Sequence, residues 1–317
     1  MDTRNRTPGG LTRAVSLQAG RVLQSAPVTS IARAITVGRL RILAFHGVDD
    51  LTHFERVIGQ IVQRYAPVDG SDIVSALEGT RPLPPHAVWF TFDDGIRGTL
   101  DAAEMLAGHG VRATAFVNPA PIESPSLMWF QVLEIAEQHG VISELEAERF
   151  SRHRLKSCPD GERRTAVAEL EERVADLPSR PITLSGDVAA LGRWVDVGHE
   201  VGNHTWDHPC LDMCDGGEQV RQIEQAHSWL VDHGFAPRFF AYPNGNWAEE
   251  SEATVRRLGY RASVIFDHRL EDLRGNPQRL SRLRISSSAD PRRAESILSG
   301  AHSGAYGLSR RLAAWGG

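Results

Sequence analysis

The sequence has 317 residues, enough for one large α/β domain with a full hydrophobic core. It has a net charge of −5 and no run of about 18 apolar residues, which argues against a nucleic-acid partner and against a membrane-spanning helix. It has only three cysteines, and this small, odd number argues against the disulfide framework of a small secreted protein.

Residues 1–40 are basic and precede the first predicted strand. They contain six arginines and one acidic residue, Asp2. Their apolar residues at helical spacing are Leu11, Val15, Ala19 and Val22. Such a segment is typical of a flexible leader, or of an amphipathic helix that makes peripheral contact with a membrane. It lacks the continuous apolar core of a secretory signal, so we expect the protein to be cytoplasmic.

From residue 41 onwards, apolar runs alternate with segments of helical periodicity. Strands are predicted at residues 41–45, 87–92, 113–117, 199–203, 238–242, 262–266 and 282–285. Helices are predicted between them, at residues 54–65, 100–106, 129–138, 220–230 and 249–258. Repeated strand–helix units indicate an α/β fold with a parallel sheet, either open or closed into a barrel.

Residues 141–180 interrupt this alternation. They are rich in glutamate and arginine, and Leu170, Val174 and Leu177 fall at helical spacing. We predict a charged helical insertion here. The predicted domain spans residues 41–290, and residues 291–317 are expected to form a C-terminal tail.

Polar residues stand at the ends of several predicted strands. They are His46, Asp93, Asp94, Asn118 and the Tyr-Pro-Asn-Gly turn at residues 242–245. In open and barrel-shaped parallel sheets alike, functional residues cluster at the carboxyl ends of the strands. The sequence therefore predicts one shared site at that edge.

Two adjacent carboxylates, Asp93 and Asp94, and two imidazoles, His204 and His208, together form a metal-site pattern. Alone, Asp-Asp-Gly predicts a solvated turn, and two histidines at this spacing are a weak signal. On one turn of a helix, residues four apart share a face. Two imidazoles and one carboxylate hold zinc with a position open for water, and they leave the second carboxylate free to move protons.

Three nearby residues offer further ligands. Cys210 and Cys214 follow the histidine pair, but two histidines and one carboxylate already complete an open catalytic site. His199 stands at the entry of a predicted strand, and we interpret it as structural. We therefore expect none of the three to bind the metal.

The motifs resemble those of the NodB-type polysaccharide deacetylases, the carbohydrate esterase family 4. The likeness covers roughly residues 41–290, and its motifs are Thr-Phe-Asp-Asp-Gly at 91–95, His-Thr-Trp-Asp-His at 204–208 and Phe-Ala-Tyr-Pro-Asn-Gly at 240–245. Phe-His-Gly-Val at 45–48 resembles the opening of the branch that acts on exopolysaccharides, including poly-N-acetylglucosamine deacetylases. The resemblance implies a distorted (β/α) barrel.

The resemblance also implies roles for individual residues. Asp94, His204 and His208 would hold a divalent metal, with Zn²⁺ expected and Co²⁺, Mn²⁺ or Fe²⁺ also suited to these ligands. A water on the metal would attack the amide of an N-acetyl group, with Asp93 as the base. The remaining substrate or oxyanion contacts are expected from Asn118, Trp206, Tyr242, Pro243, Asn244 and Gly245.

The sequence departs from the family pattern at two positions. Ala241 stands where many members have an arginine that orients the base, and Arg282 stands where the usual Leu-x-His supplies an acid. Because arginine is a poor proton donor, we expect Arg282 to pair with Asp93 and replace the missing arginine. The acid is then protonated Asp93 or His46, and His268 is a weaker candidate.

The leading hypothesis is a metal-dependent hydrolase that removes N-acetyl groups from an amino-sugar glycan or glycolipid. One alternative is a deacylase of lipid-linked or nucleotide-linked sugars. Another, motivated by the two departures, is a catalytically inactive carbohydrate-binding module. Four aromatic residues could stack on a sugar or belong to the core, and they are Trp129, Trp206, Trp247 and Tyr242.

Overall fold

A computed structural model describes residues 22–178 and 184–304. Its sheet comprises β1 (Arg41–Phe45), β2 (Ala66–Val68), β3 (Ala87–Phe92), β4 (Thr114–Val117), β5 (Glu200–Asn203), β6 (Phe239–Ala241), β7 (Ala262–Ile265), β8 (Leu280–Ser281) and β9 (Leu283–Arg284). Their order is β8-β7-β6-β5-β4-β3-β1-β9, with β2 paired to the start of β3. All these pairings are parallel.

The two ends of this sheet meet in one short segment. β8 and β9 are separated only by Arg282, yet β8 pairs with β7 and β9 pairs with β1. The sheet therefore curls into a nearly closed barrel. This confirms the predicted distorted (β/α) barrel.

The helices connect successive strands or flank the barrel. They are α1 (Ala26–Ile35), α2 (Leu51–Val62), α3 (Gly70–Leu77), α4 (Arg97–Leu100), α5 (Ala103–Gly108), α6 (Ala120–Glu123), α7 (Trp129–Gln138), α8 (Arg152–Ser157), α9 (Asp160–Val174), α10 (Val188–Asp196), α11 (Gly216–Asp232), α12 (Glu249–Arg257) and α13 (Pro291–Leu298).

The alternation of side chains along each strand divides the core into two layers. In β3, Phe90 and Phe92 pack with helix residues such as Phe54. Trp89 packs instead with Ile42 and other strand residues in a separate cluster inside the barrel. Both faces of β3 are buried, which explains why its sequence is a continuous apolar run.

The predicted insertion at residues 141–180 contains two helices in its described part. α8 and α9 lie here, and α9 packs against α7. Leu170 and Val174 join Trp129 and Val132 in a cluster of their own. This small core attaches the insertion to the barrel beside the carboxyl ends of the strands.

The packed structure extends beyond the predicted limits of 41 and 290. α1 contacts α13, where Arg33 forms an ion pair with Glu295 at 2.6 Å and the Thr36 hydroxyl donates to the Ser299 carbonyl at 2.9 Å. Residues on either side of the predicted domain therefore contribute helices that pack against each other. The stripe predicted at residues 11–22 falls outside the described residues, except for Val22. No helix in the described ranges is long and apolar enough to cross a bilayer.

Candidate metal centre and active site

The two aspartates leave the end of β3 through an unusual backbone turn. Neighbouring side chains in a strand face opposite ways, so a regular strand would send only one of them to the site. Asp94 adopts φ 71° and Gly95 adopts φ 59°, which bends the chain immediately after Asp93. Both carboxylates therefore reach the same buried region.

The two histidines lie in a loop after β5, and the predicted single helical turn was wrong. Thr205 and His208 have φ values of 72° and 59°, which no α-helix accommodates. The Asn118 amide donates to the carbonyls of His204 and Thr205 at 2.5 and 3.0 Å, and the Trp129 indole donates to the His208 carbonyl at 3.0 Å. Side-chain hydrogen bonds thus replace the helical ones that would have held this spacing.

Asp94, His204 and His208 converge on one point. Asp94 Oδ1 lies 3.6 Å from His204 Nε2 and 3.5 Å from His208 Nε2. Two atoms each about 2.1 Å from a tetrahedral zinc are roughly 3.4 Å apart. All three side chains are buried, and Asp94 Oδ1 and His204 Nε2 have no hydrogen-bond partner among the described residues. These donors therefore fit a divalent metal.

The protonation of His204 also suits a ligand. Its Nδ1 lies 2.7 Å from the Ala241 carbonyl, which can only accept, so Nδ1 carries the proton and Nε2 offers a lone pair. Burial lowers the pKa of both His204 and His208, which keeps the imidazoles neutral. Neutral imidazole is the form that binds metals.

Arg282 holds the second carboxylate in the predicted ion pair. Its two terminal nitrogens donate to the two oxygens of Asp93 at 2.6 and 2.8 Å, and both residues are fully buried. Burial raises the pKa of Asp93, but the charge and hydrogen bonds of Arg282 outweigh it and bring the pKa well below its ordinary range. Asp93 is therefore ionised at neutral pH.

Replacing Arg282 by methionine is expected to lower the free energy of unfolding by about 3–5 kcal/mol, because the buried carboxylate of Asp93 would lose its partner. Chemical denaturation of the two proteins measures the difference. Arg97 forms an exposed pair with Asp187 at 3.1 Å, so the matched change Arg97→Met should cost less than about 1 kcal/mol. Equal stability of the Arg282 variant and wild type would contradict this account of Asp93.

The turn at Pro243–Gly245 borders this centre, because Asn244 lines the same cavity as Asp94 and His208. Asn244 has φ 57° and Gly245 has φ 77°. A Cβ on Gly245 would lie 2.4 Å from the Phe266 nitrogen, so only glycine fits this close approach. The Asn244 amide donates to Cys210 Sγ at 3.3 Å, which anchors the turn to the loop that carries His208.

Comparisons with known proteins identify the family of this chain and the fold that it shares. The family model described as polysaccharide deacetylase matches residues 80–263, more than half of the chain. The chain belongs to the polysaccharide deacetylase family. Deacetylases of this family are hydrolases that cleave the amide bonds of acetylated sugars. A chitooligosaccharide deacetylase of Azorhizobium caulinodans is 39% identical over 67 residues, which span 20% of this chain and only 31% of that relative.

Solved structures share the fold of this polysaccharide deacetylase family member at low sequence identity. Streptococcus pyogenes deacetylase PplD, in complex with acetate, gives a TM-score of 0.60 at 15% identity and covers 83% of this chain and 99% of its own. IcaB from Ammonifex degensii gives 0.57 at 15% identity, covering 83% and 97%. The BpsB deacetylase domain from Bordetella bronchiseptica gives 0.55 at 15% identity, covering 78% and 96%.

In this family member, Asp93, Asp94 and His208 line a cavity of about 1040 Å³. Asn244 and His46 line it too, and the His46 ring stacks on Phe266 with centroids 6.2 Å apart. Burial lowers the pKa of His46 to about 4, so at neutral pH it carries no extra proton.

Several residues predicted to contact substrate lie elsewhere. Asn118 and Tyr242 are fully buried, the first behind the histidine loop and the second in a core cluster. Trp206 packs against the main core, and Trp247 lies under the guanidinium of Arg279. Trp129 is the one member of the predicted aromatic wall that lines the cavity among the described residues.

The other residues that the sequence analysis singled out lie at several places around the metal centre. His199 is buried between the Ala113 N–H, at 3.0 Å, and the Ala103 carbonyl, at 2.9 Å, away from the metal centre. His268 lines the cavity, while Pro243 and Gly245 shape the turn behind Asn244. Cys210 and Cys214 are absent from the metal-binding group found in the described ranges.

The sequence analysis missed several residues that line the cavity. Phe130 and Phe266 supply aromatic surface, and Arg152, Lys156 and Arg284 supply positive charge. Arg152 and Lys156 come from the insertion, whose position over the site no local pattern reveals. For Lys156 a signal existed, because it is the only lysine in the sequence.

Proposed function

We propose that this protein is a metal-dependent hydrolase that removes N-acetyl groups from an amino-sugar glycan. One observation carries the proposal: Asp94, His204 and His208 bring three buried ligand atoms together directly beside the ionised carboxylate of Asp93, and two of these atoms, Asp94 Oδ1 and His204 Nε2, have no hydrogen-bond partner among the described residues. The chitooligosaccharide deacetylase relative supports an acetylated amino sugar as the substrate.

Asp94, His204 and His208 would hold the metal, and Zn²⁺ suits this donor set. The metal would polarise the acetyl carbonyl and make water nucleophilic near neutral pH. The three residues define where the carbonyl must lie, at the floor of the cavity.

Asp93 would act as the general base. Its Oδ2 lies 3.9 Å from His204 Nε2, so it faces the same point as the metal ligands. Arg282 occupies both oxygens with one hydrogen bond each, which fixes the carboxylate and leaves further lone pairs free for the proton of the attacking water.

The same carboxylate would return the proton to the leaving amine. Arg282 lowers the pKa of Asp93, so the protonated form gives up its proton readily. His46 lacks a second proton at neutral pH because burial lowers its pKa to about 4. We therefore assign proton donation to Asp93 rather than to His46. The backbone N–H of Asn244 would donate to the developing oxyanion.

Acetate release from N-acetylated chito-oligosaccharides tests this function. Purified protein should release acetate, lose this activity after treatment with EDTA, and regain it when Zn²⁺, Co²⁺ or Mn²⁺ is added back. Activity that survives complete removal of metal would overturn the proposed chemistry. Tight binding of the oligosaccharide with no acetate from metal-loaded protein would favour the inactive carbohydrate-binding module.

A further inference from the structure

Three cations line the wall of the active-site cavity. Arg152 and Lys156 come from α8 in the insertion, and Arg284 comes from β9. Of the 35 lysines and arginines in the sequence, 34 are arginine, and the single lysine is Lys156. Its side chain is half-buried, whereas Arg152 and Arg284 are exposed.

None of these three cations forms an ion pair with a described residue, and this sets them apart from their neighbours. Arg154 lies on the same helix and pairs with Glu162 at 2.7 Å. Arg164, on the next helix, pairs with Asp207 at 3.0 Å. The insertion therefore neutralises its arginines outside the cavity and leaves the charges that face the cavity unpaired.

The cavity also contains acidic side chains. Asp94 would be neutralised by the metal, and Asp93 is already paired with Arg282. The others lie before α2 and on α7, at Asp49, Asp50, Glu134 and Glu137, whereas the three cations lie on α8 and β9. Asp50 caps α2 by accepting from the His53 N–H at 2.8 Å.

The three cations also repel one another. Burial lowers the pKa of Lys156, and repulsion from Arg152 and Arg284 adds to this effect. A divalent metal at Asp94, His204 and His208 would add further positive charge to the same cavity. An anion placed among the three cations would relieve this repulsion.

We propose that Arg152, Lys156 and Arg284 bind a phosphate or pyrophosphate group on the substrate, which would make that substrate an N-acetylated amino sugar linked to phosphate. This inference rests on the proposed function, because the same cavity must present the acetyl group to Asp93. A planar guanidinium matches phosphate oxygens in pairs, and an ammonium adds a compact charge. A cavity of about 1040 Å³ has room for a sugar and a phosphate group.

The single lysine allows a direct binding test on the unmodified protein. Formaldehyde with a mild reductant methylates amines, and here the targets are Lys156 and the α-amino group, which serves as internal reference. Mass spectrometry of the peptide that contains Lys156 should show several-fold slower labelling with N-acetylglucosamine 1-phosphate, and slower labelling with inorganic phosphate. Equal labelling with the phosphorylated and the neutral sugar would overturn the inference.

A matched set of variants tests the same site by kinetics. We compare kcat/KM for a phosphate-linked N-acetylated sugar with that for a neutral chito-oligosaccharide. Lys156→Met should lower this ratio by roughly tenfold or more, and Lys156→Arg should restore most of it. Arg154→Gln removes one charge from the same helix outside the cavity and should leave the ratio unchanged. A ratio that Lys156→Met leaves at the wild-type value would contradict the inference.

Two sources of the phosphate group are distinguished by substrate. UDP-N-acetylglucosamine represents a nucleotide-linked sugar, and prenyl-pyrophosphate-linked N-acetylglucosamine represents a lipid-linked one. Faster acetate release from either, relative to the neutral oligosaccharide, supports the inference and identifies the source. Efficient release from the neutral oligosaccharide alone would overturn the inference and leave the proposed function intact. Phosphate protection of Lys156 without acetate from any substrate would instead overturn the proposed function.

Discussion

Replacing Asp93 by asparagine should lower kcat by about 10³-fold and leave the metal content unchanged. Asparagine keeps the shape of the side chain, and its oxygen can still accept one hydrogen bond from Arg282. It cannot take a proton from water, and general base catalysis contributes about 10²–10⁴-fold. The measurement combines kcat at saturating N-acetylated oligosaccharide with metal analysis of the same preparation.

The same substitution at an aspartate outside the cavity serves as the control for the Asp93 variant. Asp272 pairs with Arg39 at 2.6 Å outside the cavity, so Asp272→Asn should leave both kcat and metal content at the wild-type level. Turnover of the Asp93 variant within a few-fold of wild type would remove Asp93 as the base. Loss of the metal from that variant would instead make Asp93 a fourth ligand.

The sequence predicts the barrel and the convergence of Asp94, His204 and His208 because both follow from local patterns, namely apolar strands and the polar residues at their ends. Buried parallel strands appear as continuous apolar runs, as at Ala87–Phe92, and their carboxyl ends must meet. The partnership of Arg282 with Asp93 was also predictable, because an expected arginine was missing and another cation stood near a strand end.

Elements whose existence depends on tertiary packing were missed. β2 has three residues and pairs only with the start of β3, and α3 is eight residues long. A capping box at Asp69 and Asp72 was the available signal for α3. α10 and α13 have clear apolar faces, but α10 lies in the gap between the predicted insertion and the strand predicted from residue 199, and α13 lies where the tail was expected.

The histidine spacing shows why a correct site can follow from a wrong local structure. A helical turn and the observed loop both bring His204 and His208 together. What distinguishes them is the fully buried amide of Asn118, which binds the loop carbonyls from a neighbouring strand end. That contact spans 86 residues of sequence, so no local pattern encodes it.

Replacing Asp94 by asparagine should remove the metal and with it nearly all acetate release. The amide offers no negative charge to the ion, and the two imidazoles alone make an incomplete site. Metal analysis after dialysis and activity with excess Zn²⁺ measure the effect. Binding of one equivalent of metal by this variant with wild-type affinity would show that Asp94 is not a ligand.

In the absence of metal, Asp94→Asn should make the protein more stable. The comparison is between the metal-free variant and metal-free wild type. In metal-free wild type, burial and the neighbouring Asp93 raise the pKa of Asp94 well above its ordinary value. The contribution of Asp94 to stability is therefore fully present below the ordinary aspartate range and is lost as the pH rises through the folded value. Each pKa unit corresponds to roughly 1.4 kcal/mol, so metal-free Asp94→Asn should be the more stable protein at pH 8, and the difference should vanish in acid.

Denaturation curves at the two pH values measure this, and a metal-free variant less stable than wild type at pH 8 would contradict it. Added metal should stabilise the wild type and not the variant, because only the wild type would bind it. The Asp94 carboxylate would therefore destabilise the metal-free protein and stabilise the metal-bound protein.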